Sequence, residues 1–340
     1  MKSSWTELLS LVAHAAVVAG FAPCFSSGCI AQSGAEPIDQ FSGAVQRPAQ
    51  MVRGVDQPAE PGEWWTAGSV FEGTGLYPKF HTRHGTDWFR LYRHPSFNPV
   101  RILFNNEGSK GETSQATALA IYNETASAAS EYYQAGARDF IVLNEPNIEG
   151  WPNLWSSAEE FGIVFKELCR LYSETFPSIH LWFPGLSPSS SGGYGPPQDE
   201  FIARALSAAW GKESFGEVYD AFDGAPPFYG VAMHAYTDRV WEGQEQNAVN
   251  DLISKVYSFR SRHQWRYGPL LIGEFSVNRP GPSEYKAKVY KMFYEELSSI
   301  GNVFGAYSFT ASWGPTDDAN QEGWFPNGIH SEYKRLIGFE

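Results

Sequence analysis

Phe140-Ile141-Val142-Leu143-Asn144-Glu145-Pro146-Asn147 begins as an unbroken apolar run and ends in a carboxylate, and Leu270-Leu271-Ile272-Gly273-Glu274-Phe275-Ser276 repeats the arrangement later in the chain. A short apolar run of this kind reads as a strand buried on both faces, as in parallel sheets. A glutamate directly after such a run leaves the core at that point. Side chains at the C-terminal ends of parallel barrel strands face the active-site mouth, so Glu145 and Glu274 are expected to meet there.

The intervening and flanking sequence supports a barrel. Further strands are predicted at 180–183 (HLWF), 230–234 (GVAMH) and 304–309 (FGAYSF). Helical patterns separate them. Ser157 with Glu160 forms a capping box, and Phe161, Val164, Phe165, Leu168 and Tyr172 then share one helix face. Val249, Leu252, Ile253, Val256 and Phe259 make a second such face, and Tyr285, Val289, Met292, Phe293 and Leu297 a third. Strands alternating with helices signal βα units and a parallel sheet. Upstream, 114–135 reads as a helix, 88–92 (WFRLY) and 100–104 (VRILF) as strands, and 79–82 (KFHT) as the best further strand. The predicted fold is α/β: a (β/α)₈ TIM barrel over 63–340, preceded by an irregular N-terminal arm over 1–62 whose second part, 23–62, is rich in Gly, Pro, Ser, Ala and Gln.

Composition narrows the partners. The chain has 340 residues, enough for one large barrel, and a net charge of −13 without any Lys/Arg run. Nucleic acid is therefore excluded as an expected partner, and an acidic surface favours neutral over polyanionic glycans. Aromatics make up 16% of the residues, suited either to a groove that stacks on sugar rings or to an aromatic core. Trp151, Trp155, Trp182, Trp241 and Trp324 are open to both readings, and Glu149 reads as a surface charge. Cys24, Cys29 and Cys169 have no zinc-site spacing, and Cys169 fits a buried structural thiol in a helix. No cofactor and no metal are expected. The stretch 8–22 (LLSLVAHAAVVAGFA) is apolar enough for the core of an export signal and too short for a membrane span. A secreted protein is expected, with a cytoplasmic one as the alternative.

Two carboxyl groups facing one another at a barrel mouth fit glycoside hydrolysis, in which one protonates the leaving oxygen and the other attacks the anomeric carbon or activates water. Mutual repulsion would hold one protonated while the other is ionised.

At these residues the chain resembles clan A, the superfamily of (β/α)₈ retaining glycosidases that includes cellulases, mannanases and xylosidases. Its members carry Asn-Glu-(Pro) at the end of the fourth strand and Glu at the end of the seventh. Asn144-Glu145-Pro146 and Glu274 match, and 180–183 and 230–234 supply the two strands required between them. The resemblance implies a retaining hydrolase of a neutral β-linked poly- or oligosaccharide, with Glu145 as general acid/base and Glu274 as nucleophile. It further implies that Asn144 binds the sugar 2-hydroxyl, that His234 and Tyr236 end the sixth strand with Tyr236 hydrogen-bonded to the nucleophile, and that Trp313 after the eighth strand stacks under the sugar. The clan's Arg near the second strand corresponds to Arg83, Arg90 or Arg101. Retention predicts carboxyl groups ~5–5.5 Å apart. The rival reading is a non-catalytic carbohydrate-binding or structural barrel, although nothing in a pure binder requires both carboxylates and Asn144. A metal-dependent hydrolase is disfavoured by the lack of HExxH or a clustered His/Asp set.

Overall fold

The computed structural model describes residues 48, 50–56, 70–105, 110–188, 196–311, 321–325 and 327–339. Eight strands close into a barrel in chain order: β1 Val52–Asp56, β2 Tyr77–His81, β3 Pro99–Ile102, β4 Asp139–Val142, β5 His180–Phe183, β6 Gly230–Thr237, β7 Leu270–Val277 and β8 Val303–Ser308. Every neighbouring pair is parallel, including β1 with β8. The described helices are α1 Thr86–Tyr92, α2 Ser114–Gln134, α3 Ala158–Thr175, α4 Gln198–Trp210, α5 Phe215–Ala221, α6 Glu245–Arg262, α7 Ser283–Ser298 and α8 Ile329–Leu336. None is long and apolar enough to cross a membrane.

Strand alternation divides the core into two compartments. Val52, Ile141, Trp182, Ala232, Leu271 and Tyr307 point into the barrel, where they pack with Phe97 and Phe304. Their neighbours Phe140, Val142, Leu181, Phe183, Val231, Met233, Leu270, Ile272 and Ala306 belong to the separate layer packed with the helices. Trp182 meets Phe97 and Phe304 edge-on, at 5.6 and 5.7 Å between ring centroids. This apolar plug fills the barrel interior, as barrels of this size require. Continuing the same inward faces toward the C-terminal ends brings polar residues into line instead: Asp56, Lys79, His81, Arg101, His234 and Tyr236.

Helix α3 begins as expected, with the Glu160 N–H donating to Ser157 Oγ at 3.1 Å. The reciprocal carboxylate bond goes one residue further back, to the Ser156 N–H at 2.7 Å. Cys169 is buried on this helix.

Three sequence expectations change. The stretch 88–92 is helical, not a strand: Trp88 and Tyr92 stack one turn apart at 4.8 Å, and only Phe89 of this short helix is buried. Its apolar density concealed the i, i+4 pairing. The barrel begins with Val52–Asp56, inside the stretch read as an arm and before residue 63, because the strand VRGVD carries too few apolar residues to stand out. Finally, β6 and β7 run on past His234 and Glu274, to Thr237 and Val277. The export-like stretch 8–22, Cys24 and Cys29 lie outside the described residues.

Candidate active site

The two glutamates reach the mouth by different backbone devices. On β4, alternation after Ile141 would turn Leu143 inward. Instead Leu143 adopts φ 73 and Glu145 φ 38, a left-handed region costly for a side chain of this size. Leu143 stays buried in the outer layer, and the chain leaves the strand at the mouth. The turn is braced on every side. The Glu145 N–H donates to the Gly185 carbonyl at 3.0 Å, and Asn147 exchanges two hydrogen bonds with the Ser187 backbone, both 2.9 Å. The Trp155 indole N–H donates to the Pro146 carbonyl at 2.7 Å.

On β7 the device is a bulge. The register pairs Met233 with Ile272 but His234 with Glu274, skipping Gly273. Strict alternation from inward Leu271 would have aimed residue 273 inward. One extra residue re-aims Glu274 into the barrel, and Phe275 returns to the outer layer. Bulges beside functional sites commonly act in this way.

Glu274 is buried among donors. Lys79 Nζ lies 3.4 Å from its Oε1, Arg101 donates to the same oxygen, and the Tyr236 hydroxyl donates to Oε2. Burial alone would raise its pKa. The positive surroundings of His234, Arg101 and Lys79, with the Tyr236 hydrogen bond, outweigh burial and hold the carboxyl well below the usual range. The Tyr236 hydroxyl is pushed well above its ordinary value by burial and by the Glu274 charge, so it remains a donor. Beneath them, Asp56 pairs with Lys79 at 3.2 Å and with His81 at 2.9 Å. Burial lowers the His81 pKa, which favours the neutral ring. The core of the network is thus two carboxylates against two cations.

Glu145 has a lighter environment. Its Oε1 lies 2.8 Å from His234 Nδ1, and its side chain keeps 14% exposure against 4% for Glu274. His234 also sits 3.7 Å from Glu274 Oε2, between the two carboxylates. A Cβ at residue 185 would lie 2.3 Å from the His234 ring, so Gly185 leaves the space this imidazole occupies. One carboxylate oxygen of each glutamate and a ring nitrogen of His234 all fall within 4.8 Å of one another. Such a donor set could hold a metal ion, but Lys79 and Arg101 on Glu274 oppose an added cation electrostatically.

The structure therefore brings Asn144, Glu145, His234, Tyr236 and Glu274 together. Trp313 lies outside the described residues. The aromatic described at the end of β8 is Phe309, half-buried, its ring nearly perpendicular to that of Tyr236 at 6.5 Å. Of the three candidate arginines, Arg101 contacts Glu274. Arg83 reaches the Phe104 carbonyl, and Arg90 pairs with Asp87 on the surface. Trp155, Trp182 and Trp324 are fully buried packing residues, whereas Trp241 is 56% exposed.

Sequence reasoning missed three groups. Asp56 lay in a stretch read as an arm, and Lys79 opened a strand that was expected but not assigned to the site, although a lysine alternating with His81 on one strand face was a usable signal. Glu149, read as a surface charge, accepts a hydrogen bond from the Asn144 amide. Burial raises its pKa, with the charges of Glu145 and Glu274 adding to the rise against the Asn144 bond and Arg101.

No protein-family profile matches the chain, and no curated protein matches it by sequence. Solved structures do. An endo-beta-1,3-glucanase of family GH128 (subgroup I) from Amycolatopsis mediterranei, in complex with laminaritriose, is 16% identical with a TM-score of 0.51, covering 84% of this chain and 99% of its own. A GH128 (subgroup II) endo-beta-1,3-glucanase from Sorangium cellulosum is 16% identical with a TM-score of 0.56, covering 83% and 97%. A beta-glucuronidase from an uncultured Clostridium sp. is 10% identical with a TM-score of 0.50, covering 86% of this chain and 53% of its own. At these identities the likeness shows the shared barrel fold.

Proposed function

We propose that this chain is a retaining glycoside hydrolase of the clan A type that cleaves internal bonds of a neutral β-glucan, with β-1,3-glucan as the first substrate to test. The observation that carries this reading is the close approach of Glu145 and Glu274, within 4.8 Å between oxygens, on the retaining side of the ~6.5–9.5 Å that inverting enzymes use to admit water. The fold shared with two endo-beta-1,3-glucanases supports the substrate class, and the net charge of −13 suits a neutral polymer. Export ahead of action on a polymer fits the apolar stretch 8–22.

In this reading each carboxyl has one role, supported by its surroundings. Glu274, ionised among cations, attacks the anomeric carbon. Glu145 passes its proton to the departing glycosidic oxygen as that bond breaks, leaving a glycosyl ester on Glu274. Glu145, now a carboxylate, takes a proton from water, whose oxygen bonds to the anomeric carbon and releases Glu274. His234 limits the rotation of Glu145 by engaging one of its oxygens, while Asn144 and the half-buried Phe309 supply sugar contacts. Lys79, Arg101 and Tyr236 stabilise the Glu274 carboxylate both before attack and as it departs.

The test is digestion of β-1,3-glucan, β-1,4-glucan, mannan and xylan by the purified chain, with the first-formed product anomer read by proton NMR. Internal cleavage of β-1,3-glucan with the β-anomer appearing first is expected. An α-anomer first would replace retention by inversion, and inertness toward the whole panel would remove the glycosidase reading.

A further inference from the structure

The Asn144 side chain carries two N–H donors and one carbonyl acceptor, and one of those donors is given to Glu149. A carboxylate only accepts. While Glu149 is ionised the bond sets which way round the amide sits, nitrogen toward Glu149 and oxygen turned away from it. The partners ride on the braced turn that carries Glu145. Within it the N–H groups of Ile148 and Glu149 both donate to the Glu145 carbonyl at 2.8 Å. A charge on a solvated loop has no such setting. Glu149 is mostly withdrawn from solvent, feels Arg101, and is repelled by Glu145 and Glu274, so its carboxyl belongs to the site although the double displacement uses only two.

We propose that Glu149 is a positioning residue that sets the orientation of the Asn144 amide, and so decides which pattern of sugar hydroxyls the subsite beside Glu145 accepts. The proposal rests on the glycosidase reading above for its substrate. Its physical basis is that an unrestrained amide can rotate to offer donor or acceptor to a hydroxyl, whereas a fixed one offers a defined pair. Fixed polar groups discriminate because a sugar that presents the wrong partner leaves them unsatisfied.

The experiment is a double-mutant cycle with a substrate-free readout. Glu149→Ala is expected to lower kcat/KM on β-1,3-glucan oligosaccharides by about 10–100-fold, the scale of a misplaced contact. Asn144→Ala should do the same, and the double variant should lose no more than the worse single, since the second removal finds the interaction already gone. Glu149→Gln keeps an acceptor in place and should recover most of the loss. In the full chain labelled with ¹⁵N-asparagine, the Asn144 side-chain amide signal should move as Glu149 titrates, and that movement should vanish in Glu149→Gln. A wild-type chain that cleaves no glucan would overturn the glycosidase reading while the amide signal still decides the role of Glu149. Additive losses in the cycle, or an Asn144 signal whose titration survives Glu149→Gln, would overturn the proposal.

Discussion

The ends of β4 and β7 present the same residue to the same space by opposite means. On β4 the chain breaks its alternation with two positive φ values and leaves the barrel, so Glu145 stands in a turn, partly exposed, with one oxygen on His234. On β7 the strand continues, and a one-residue register shift swings Glu274 inward onto Lys79, Arg101 and Tyr236. The contrast shows how two identical carboxyl groups acquire different surroundings. On the proposed reading, the carboxyl that exchanges a proton with substrate and water is the one that can be reached and is lightly held. A carboxyl that must remain ionised sits where desolvation is outweighed by fixed positive charge.

The largest effect should come from removing the charged member. Glu274→Gln preserves shape and eliminates the proposed nucleophile, and turnover should fall by about a millionfold, the scale on which loss of a covalent nucleophile acts. Glycan binding should largely persist. Mass spectrometry after incubation with a slow fluorosugar should find the label on Glu274. A label on Glu145 instead would exchange the two roles and invert the comparison.

Glu145→Ala should act more selectively. Natural glucan, whose leaving group needs a proton, should lose ~10²–10⁴-fold in rate, the range of general acid catalysis. Aryl glycosides with acidic leaving groups should lose far less in the step that forms the glycosyl ester. Equal losses across a leaving-group series would take the acid role away from Glu145.

A finer test perturbs the surroundings of Glu274 while leaving the carboxyl in place. Lys79→Met removes one of two cations from a buried network that also holds Asp56, leaving an excess negative charge. Stability should drop by ~3–5 kcal/mol, as for breaking a buried pair. Because folding lowers the Glu274 pKa, its ionised contacts stabilise the fold above the ~4.3 of a free glutamate, and that contribution is lost as pH falls through the lowered value. The substitution raises that value, so both the acid unfolding transition and the acidic limb of kcat/KM should move to higher pH. An acidic limb that stays put while stability falls would show that Lys79 supports the fold without tuning Glu274.

Much of this contrast is legible in the order of residues. Two apolar runs ending in glutamate, with two further strands between them, locate Glu145 and Glu274, and helical periodicity locates the faces of α3, α6 and α7. Such signals are local: the period of a strand or helix is written in adjacent residues, because each element must bury one face or stripe of its own. Long-range closure supplies what local pattern does not carry. Lys79 and Glu274 are 195 residues apart, and only closure of the barrel through the β1–β8 pair leaves just two strands between β2 and β7. Whether Arg83, Arg90 or Arg101 faces Glu274 depends on how strands and helix divide residues 83–101, where 88–92 folds as a helix despite its strand-like composition. The inward aim of Glu274 requires a bulge at Gly273, a register event that the apolar pattern does not record. Glu149 looks like a surface charge because its neighbours in sequence are a loop, and it becomes part of the site because the turn that follows β4 folds back on Asn144. Sequence alone therefore specified that two glutamates would meet at the mouth, but not the Asp56, Lys79 and Glu149 that surround them. Their charge states came only with the closed barrel, because a pKa depends on through-space neighbours and on exclusion of water, and both exist only once the chain has closed on itself.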